Sequence, residues 1–203
     1  LNLMNNFDED LEVIQDQLAE AIEYFGNRKQ YHFNLNLNAR AEHLGNDEDD
    51  FSTKIYGNNE VSGPTEEKED AKHGTHVAGI IAANRNNNKG MKGVANNVLI
   101  MPIRAVPDGD EYDKDIALGI RYAVDNGASI INTSFGKYFS THPEWVMEAI
   151  KYAEENDVLI VNAAGNEGLN LDDIRVYPND ETPENPENFV DNFINVGSIT
   201  SEY

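Results

Sequence analysis

The chain contains no cysteine. That excludes disulfide staples and thiol nucleophiles together. It is also poor in positive charge: 15 Lys and Arg stand against 37 Asp and Glu, a formal net charge of -22. This balance argues against a nucleic-acid partner, because phosphate contacts need clustered Lys and Arg. No apolar run approaches the roughly 18 residues of a membrane span. The opening stretch LNLMNNFDEDLEVI has neither the basic nor the continuous apolar region of a signal peptide. It also begins without methionine, so the chain is expected to be a piece of a longer protein.

What is present suffices for a folded domain. The 203 residues can bury one real core and are marginal for two. From Asp8 to Phe25, apolar residues recur at Leu11, Ile14, Leu18, Ile22 and Phe25. This spacing predicts a helix, with Gly26 as its stop. Between Asn27 and Lys72 the periodicity fails, and Asn, Asp, Glu, Gly and Pro predict loop. The acidic run Asp47 to Asp50 reads as a solvated surface, with a calcium loop as the sharper alternative.

After His73 the pattern becomes regular. The stretch His76 to Ala83 predicts a buried helix of small residues. VLIMPIRAV, residues 98–106, predicts a buried strand, and Asp113 to Asn126 an amphipathic helix ended by Gly127. ASIINTSF predicts a second strand. Trp145 to Asn156 predicts a helix burying Val146, Ala149, Ile150 and Ala153. VLIVNAAGN and FINVGSIT predict two more strands, the latter after a Pro-rich acidic loop. Apolar strands alternating with helices indicate an α/β fold of three layers: a mostly parallel sheet with helices on both faces. In such sheets functional residues gather at the carboxyl ends of the strands. NTSFG and NAAGNEG lie there.

Three stretches then stand in order: HGTHVAGIIAA, IINTSFG and VNAAGNEG. Together they resemble the subtilisin-like serine peptidases, the subtilases of peptidase family S8. The resemblance covers about Glu69 to Ser201 and implies a subtilisin-like fold, incomplete at both ends. Residues 1–68 resemble the N-terminal helix and insertion that some bacterial members carry ahead of the histidine, notably in the Bacteroidetes; residues 69–203 correspond to the central part of the peptidase domain.

By this resemblance His73 is the catalytic base, a role that suits a group titrating near working pH. Gly74 lets backbone and substrate come close, and His76 is a packed, hydrogen-bonded histidine. Asn166 is the oxyanion donor. Ser134, Phe135 and Gly136 line the first specificity pocket and bind the substrate backbone, while Pro107, Asp108 and Gly109 lie on the opposing wall of the cleft. The acidic PDGDE there would favour basic or polar residues upstream of the cut. A zinc site at His73 and His76 is not expected, because no Glu lies between them as in HExxH and no third ligand is evident.

Two members of the triad are not visible. The family's aspartate ends an apolar strand ahead of the histidine, and none of Asp47, Asp49, Asp50 or Asp70 does so. The family's Gly-Thr-Ser nucleophile motif is absent from these residues. The expectation is a serine endopeptidase acting on protein or peptide substrates, of which this chain is a portion inactive alone. The alternative is a pseudoprotease or a calcium-dependent binding module. The resemblance implies no required cofactor, allows a structural calcium, and implies export to the medium or cell envelope. Asn84 to Gly90 occupies the family's calcium-loop position, but with neutral Asn side chains and the cations Arg85 and Lys89 it is a poor candidate.

Overall fold

Two helices of equal length set the frame of the larger compact unit, Glu48–Tyr203. The computed structural model describes residues 2–62, 71–107, 110–180 and 190–199. Helices α4 (Asp113–Asp125) and α5 (Pro143–Glu155) each turn an apolar stripe inward. Ile116, Ala117 and Ile120 of α4 meet Val146, Ala149, Ile150 and Ala153 of α5 in one cluster with Val158, Ile160, Val190 and Phe193. The four α5 residues predicted to be buried are all buried. Small Ala residues at the crossing let the helix backbones approach.

Both helices close with a left-handed residue. Gly127 has φ +84°, and Ala128 N–H donates to Ala123 O at 3.0 Å. Asp157 has φ +57°, and Val158 N–H donates to Ala153 O at 2.9 Å. Each end satisfies carbonyls that the helix itself leaves open and turns the chain into a strand.

Three parallel strands follow: β1 (Ile130–Thr133), β2 (Leu159–Ala163) and β3 (Phe193–Val196), in the order β1-β2-β3. The register pairs Thr133 with Asn162, and Asn162 with Asn195. The expected parallel α/β sheet is therefore present. Its core face carries Ile160 and Phe193 beneath α5. On the other face Ile130 is 63 % exposed and Ile194 and Val196 are about half exposed, so α4 and α5 supply the helical cover of one face only.

The predicted strand at residues 98–106 does not form. The segment has no regular secondary structure and pairs with no strand among the described residues, and Leu99 is fully exposed. Only its end is docked: Ile103 and Ala105 lie against Gly119 of α4. An apolar run becomes a strand only where a sheet edge accepts its backbone groups.

Helix α3 (Lys72–Ala82) is present as predicted, but none of its residues is fully buried. It is finished by the following segment: Gly93, Val94 and Ala95 donate their N–H groups to the carbonyls of Ala83, Ile80 and Ile81 at 2.8–3.0 Å.

The larger unit includes the acidic segment from Glu48. Phe51 stacks on Trp145 with ring centroids 4.7 Å apart, Trp145 stacks on His142 at 3.8 Å, and Tyr56 hydrogen-bonds Asp115. Lys114, fully buried, places its ammonium 5.1 Å from the Tyr56 ring centre. These contacts fasten the acidic segment to the ends of α4 and α5.

The smaller unit, Leu1–Asp47, holds a long helix α1 (Asn2–Asn27) and a short α2 (Ala39–Leu44). Helix α1 does not stop at Gly26; it runs into a wider turn over Arg28–His32. Gly26 is an interior helical glycine here, a tolerated cost of about 1 kcal/mol relative to Ala. Helix α2 lies in a stretch predicted to be loop, with Asn38 capping its start through Ala41 N–H at 2.8 Å and Gly45, φ +63°, closing its end.

Candidate active site

The carboxyl ends of β1 and β2 lie side by side, and each releases one of the predicted motifs. Ser134, Phe135 and Gly136 leave β1; Ala164, Gly165 and Asn166 leave β2. A polar row, buried at Thr133 and Asn162 and exposed at Asn195, fixes both exits. Thr133 Oγ1 donates to Asn162 Oδ1 at 2.6 Å, and Asn162 Nδ2 donates to Asn195 Oδ1 at 2.8 Å. Asn162 and Thr133 are buried, so each hydrogen bond offsets a desolvation penalty on the order of 1–3 kcal/mol. The row ties together the last turns of all three strands.

Ser134 and Phe135 are half-buried, and Phe135 packs against the core cluster. Asn132 Nδ2 donates to Ser134 Oγ at 2.9 Å, so that hydroxyl orients within the strand end. Gly136 is exposed, and a Cβ there would stand 3.3 Å from Tyr177 O. The next residue, Lys137, pairs in antiparallel fashion with Tyr177: its N–H donates to Tyr177 O at 2.9 Å and its C=O accepts from Tyr177 N–H at 2.8 Å.

Gly165 has φ +100°, a conformation only glycine adopts readily, and a Cβ there would meet Glu167 Oε2 at 3.0 Å. Glu167 Oε2 accepts from Asn166 N–H at 2.9 Å. Its carboxyl also receives the Tyr138 hydroxyl, and these two bonds, that of Tyr138 foremost, hold it below the ordinary carboxylate range. The same contact raises the Tyr138 phenol. Asn166 itself is exposed, three residues beyond the end of β2.

His73 lies in the first turn of α3 and is exposed. No hydrogen bond among the described residues links it to the strand ends. The structure thus joins Ser134–Gly136 with Asn166 and leaves His73 on a separate helix. Gly74 has open space where a side chain would stand. His76, expected to be packed, is exposed, because α3 buries no side chain fully. Pro107 is exposed just after residues 98–106; Asp108 and Gly109 lie outside the described residues, as do Glu69 and Asp70.

The most densely bonded polar group is one that motif reading passed over. Asp113, 3 % exposed at the first position of α4, accepts from Lys137 Nζ at 2.8 Å and Ser140 Oγ at 2.7 Å. It also accepts from Thr141 N–H and His142 N–H, both at 3.0 Å, and from Thr141 Oγ1 at 3.3 Å. Burial alone would raise its pKa, but these bonds and the Lys137 charge outweigh it and hold the carboxyl below its usual value. Lys137 Nζ donates in addition to Glu111 O at 2.6 Å. The only hint in the sequence is that an Asp opens an amphipathic helix, a favoured place for an anion.

The acidic run is used as anchorage. His142 Nε2 lies 2.7 Å from Asp49 Oδ1, and its Nδ1 lies 3.4 Å from Glu144 Oε1. The Asp49 contact is the main cause of a raised imidazole pKa. Asp50 Oδ1 accepts from Ser52 N–H at 2.8 Å. In the loop 84–90, Asn84 and Asn87 turn their side-chain oxygens onto the N–H groups of Asn86 and Lys89, at 2.9 and 3.0 Å. In the same loop Arg85 turns its guanidinium onto Val94 O at 3.3 Å. Among the described residues no three His, Cys, Asp or Glu side chains converge as a metal site.

Comparison with known proteins gives the same direction. The chain is 44% identical over 97 residues to the thermophilic serine proteinase of Bacillus sp. (strain AK1), covering 47% of this chain and 24% of that protein. It is 43% identical over 115 residues to the cell wall-associated protease of Bacillus subtilis (strain 168), covering 56% of this chain and 12% of that one. It is 42% identical over 126 residues to the major intracellular serine protease of the same strain, covering 59% and 39%. The chain thus spans well under half the length of each of these relatives. The family model of the subtilases matches residues 8–203, beginning well ahead of the motif resemblance at Glu69. A match of that extent, on a parallel sheet whose adjacent strand ends carry NTSFG and AAGNEG, settles the assignment: the chain belongs to the Subtilase family.

Proposed function

We propose that the protein to which this chain belongs is a serine endopeptidase cutting protein or peptide substrates by acyl transfer, and that the chain supplies three parts of its machinery. The observation that carries this reading is the juxtaposition of Ser134–Gly136 and Asn166 at neighbouring carboxyl ends of β1 and β2. An extended peptide lies along Ser134–Gly136 and is held by backbone hydrogen bonds. The Asn166 amide donates to the oxygen that becomes negative in the tetrahedral intermediate. His73 accepts the proton of the attacking hydroxyl and returns it to the leaving amine. The nucleophilic serine and the aspartate that orients His73 come from outside the motifs visible in these 203 residues, and the reaction needs no cofactor. We place the protein in the medium or cell envelope; the relatives' names include both a cell wall-associated and an intracellular protease, so cell fractionation decides this point.

The test is hydrolysis of a chromogenic peptide by the full-length protein. His73→Ala abolishes turnover. Asn166→Ala lowers kcat by about a hundredfold to a thousandfold, the magnitude known for such a donor in subtilisin. The 203 residues alone give no turnover. Cleavage that survives His73→Ala would overturn the assignment.

A further inference from the structure

Three rings from distant parts of the sequence meet beside the first turn of α5. His142, which precedes that helix, stacks on Trp145 with ring centres 3.8 Å and planes 12° apart. Trp145 stacks in turn with Phe51 at 4.7 Å. The imidazole meets the segment that carries Phe51 a second time, since its Nε2 lies 2.7 Å from Asp49 Oδ1. Asp49 and Phe51 thus grip one place, the first by a carboxylate and the second by a ring. The His142 backbone is fixed there, because its N–H donates to the buried Asp113 at 3.0 Å. The charged groups around the imidazole are Asp49 from the acidic segment, Glu144 from α5, 3.4 Å from Nδ1, and Asp113 from α4. Lys137 is paired with Asp113, and Lys54 places its ammonium 5.3 Å from the Phe51 ring centre.

We infer that His142 and Trp145 form a proton-operated clasp for the acidic segment Asp49–Tyr56, closed on the imidazolium and open on the neutral ring. When protonated, both ring nitrogens donate, one to Asp49 and one toward Glu144, and the cation is drawn to the indole face. When neutral, the ring keeps a single N–H and loses the ion pair, so only the stacking holds the segment. The Asp49 hydrogen bond is the chief cause of a raised imidazole pKa. The hold is therefore complete below the ordinary imidazole value of about 6.5 and is lost as pH rises through the raised folded value. The His142 and Asp49 side chains are 26% and 67% exposed, so water screens the pair and the clasp is a light catch. The far end of the segment is fastened separately: Tyr56 hydrogen-bonds Asp115, and Lys114 lies 5.1 Å from the Tyr56 ring centre. The segment thus opens from its Asp49 end, with Tyr56 as the hinge. The inference is independent of the peptidase reading.

The experiment is fluorine NMR of the full-length protein labelled with fluorotryptophan, in a His73→Ala background that rules out self-digestion. Trp145 is the single tryptophan of these 203 residues, and its signal is identified by its loss in Trp145→Phe. The expected result is a Trp145 signal that titrates with a midpoint above that of a free histidine. The midpoint falls in Asp49→Asn, and the titration disappears in His142→Gln. The second readout is tryptic cleavage after Lys54, an exposed residue inside the segment. Near the ordinary imidazole value, Asp49→Asn is expected to be cut about two- to fivefold faster than the parent, the worth of an exposed ion pair. At alkaline pH the two are cut at the same rate. A Trp145 signal that ignores pH, one that titrates in Asp49→Asn as it does in the parent, or equal cleavage of the two proteins near the imidazole value would each overturn the inference. If His142→Gln does not fold, Asp49→Asn, at an exposed position, carries both readouts.

Discussion

The α4–α5 sheet body and the stretch from Lys72 to Pro107 belong to the same compact unit and are similarly apolar, yet they are built differently. In the first, Ile150, Ala149 and Ile160 are fully buried, and the buried Thr133 and Asp113 are hydrogen-bonded. In the second, α3 buries no residue completely, and Val98 to Ile103 lie largely open although they form one of the most hydrophobic runs in the chain. Composition cannot separate the two. What separates them is whether a neighbouring surface exists to receive the side chains and backbone groups. The substrate-holding part of the proposed site rests on the first kind of structure and the histidine on the second.

That contrast can be broken most sharply in the core. Ile150→Ala should cost about 2–5 kcal/mol, the usual range for emptying a buried aliphatic site, whereas Leu99→Ala should change stability by less than about 0.5 kcal/mol. Thermal unfolding of the two variants makes the comparison. Similar losses would mean that residues 98–106 are packed after all.

A smaller effect probes the histidine helix itself. A Cβ on Gly93 would stand 2.3 Å from Ala83 N, inside the segment that satisfies the end of α3. Gly93→Ala should cost about 1–3 kcal/mol, as overpacking does. Hydrogen exchange should quicken at Ala83 and Val94 and stay unchanged in α5. Protection lost equally in both helices would show that α3 and the sheet body open as one.

The gentlest test is pH. His142 has a raised pKa, so the stability gained from Asp49 is fully present below the ordinary imidazole value of about 6.5 and is lost as pH rises through the raised folded value. An NMR titration should place the His142 midpoint above that of a free histidine, and Asp49→Asn should bring it down. A midpoint unchanged by Asp49→Asn would remove the anchor from the acidic segment.

Much of this architecture was legible beforehand. Helices α4 and α5 were marked by their apolar spacing, and the strands after them by short β-branched runs between turn residues. The membership was legible in three motifs. What escaped was long-range. Residues 98–106 carry every local sign of a strand, but strand formation depends on an edge elsewhere. Gly26 reads as a stop, but a helix continues through glycine when its surroundings permit. His76 reads as packed only if something packs on it. Lys137 and Asp113 are 24 positions apart in the chain, and no local pattern links them. The acidic residues near Asp49 read as a solvated run because the partner, His142, lies far along the sequence.

The polar row across the sheet has a consequence for how the sequence can vary. Thr133, Asn162 and Asn195 form a chain of donors and acceptors in which the middle member is buried and bonded on both sides. Replacing Thr133 with Val keeps the shape but leaves Asn162 Oδ1 without its Thr133 donor; replacing Asn162 leaves the Thr133 hydroxyl only its 3.5 Å contact with Val161 O, while Asn195, exposed, turns to solvent. Each single step is penalised, while a joint exchange for apolar residues of like size is nearly neutral. Among relatives of this chain, positions 133 and 162 should change together, while the exposed position 195 should vary more freely.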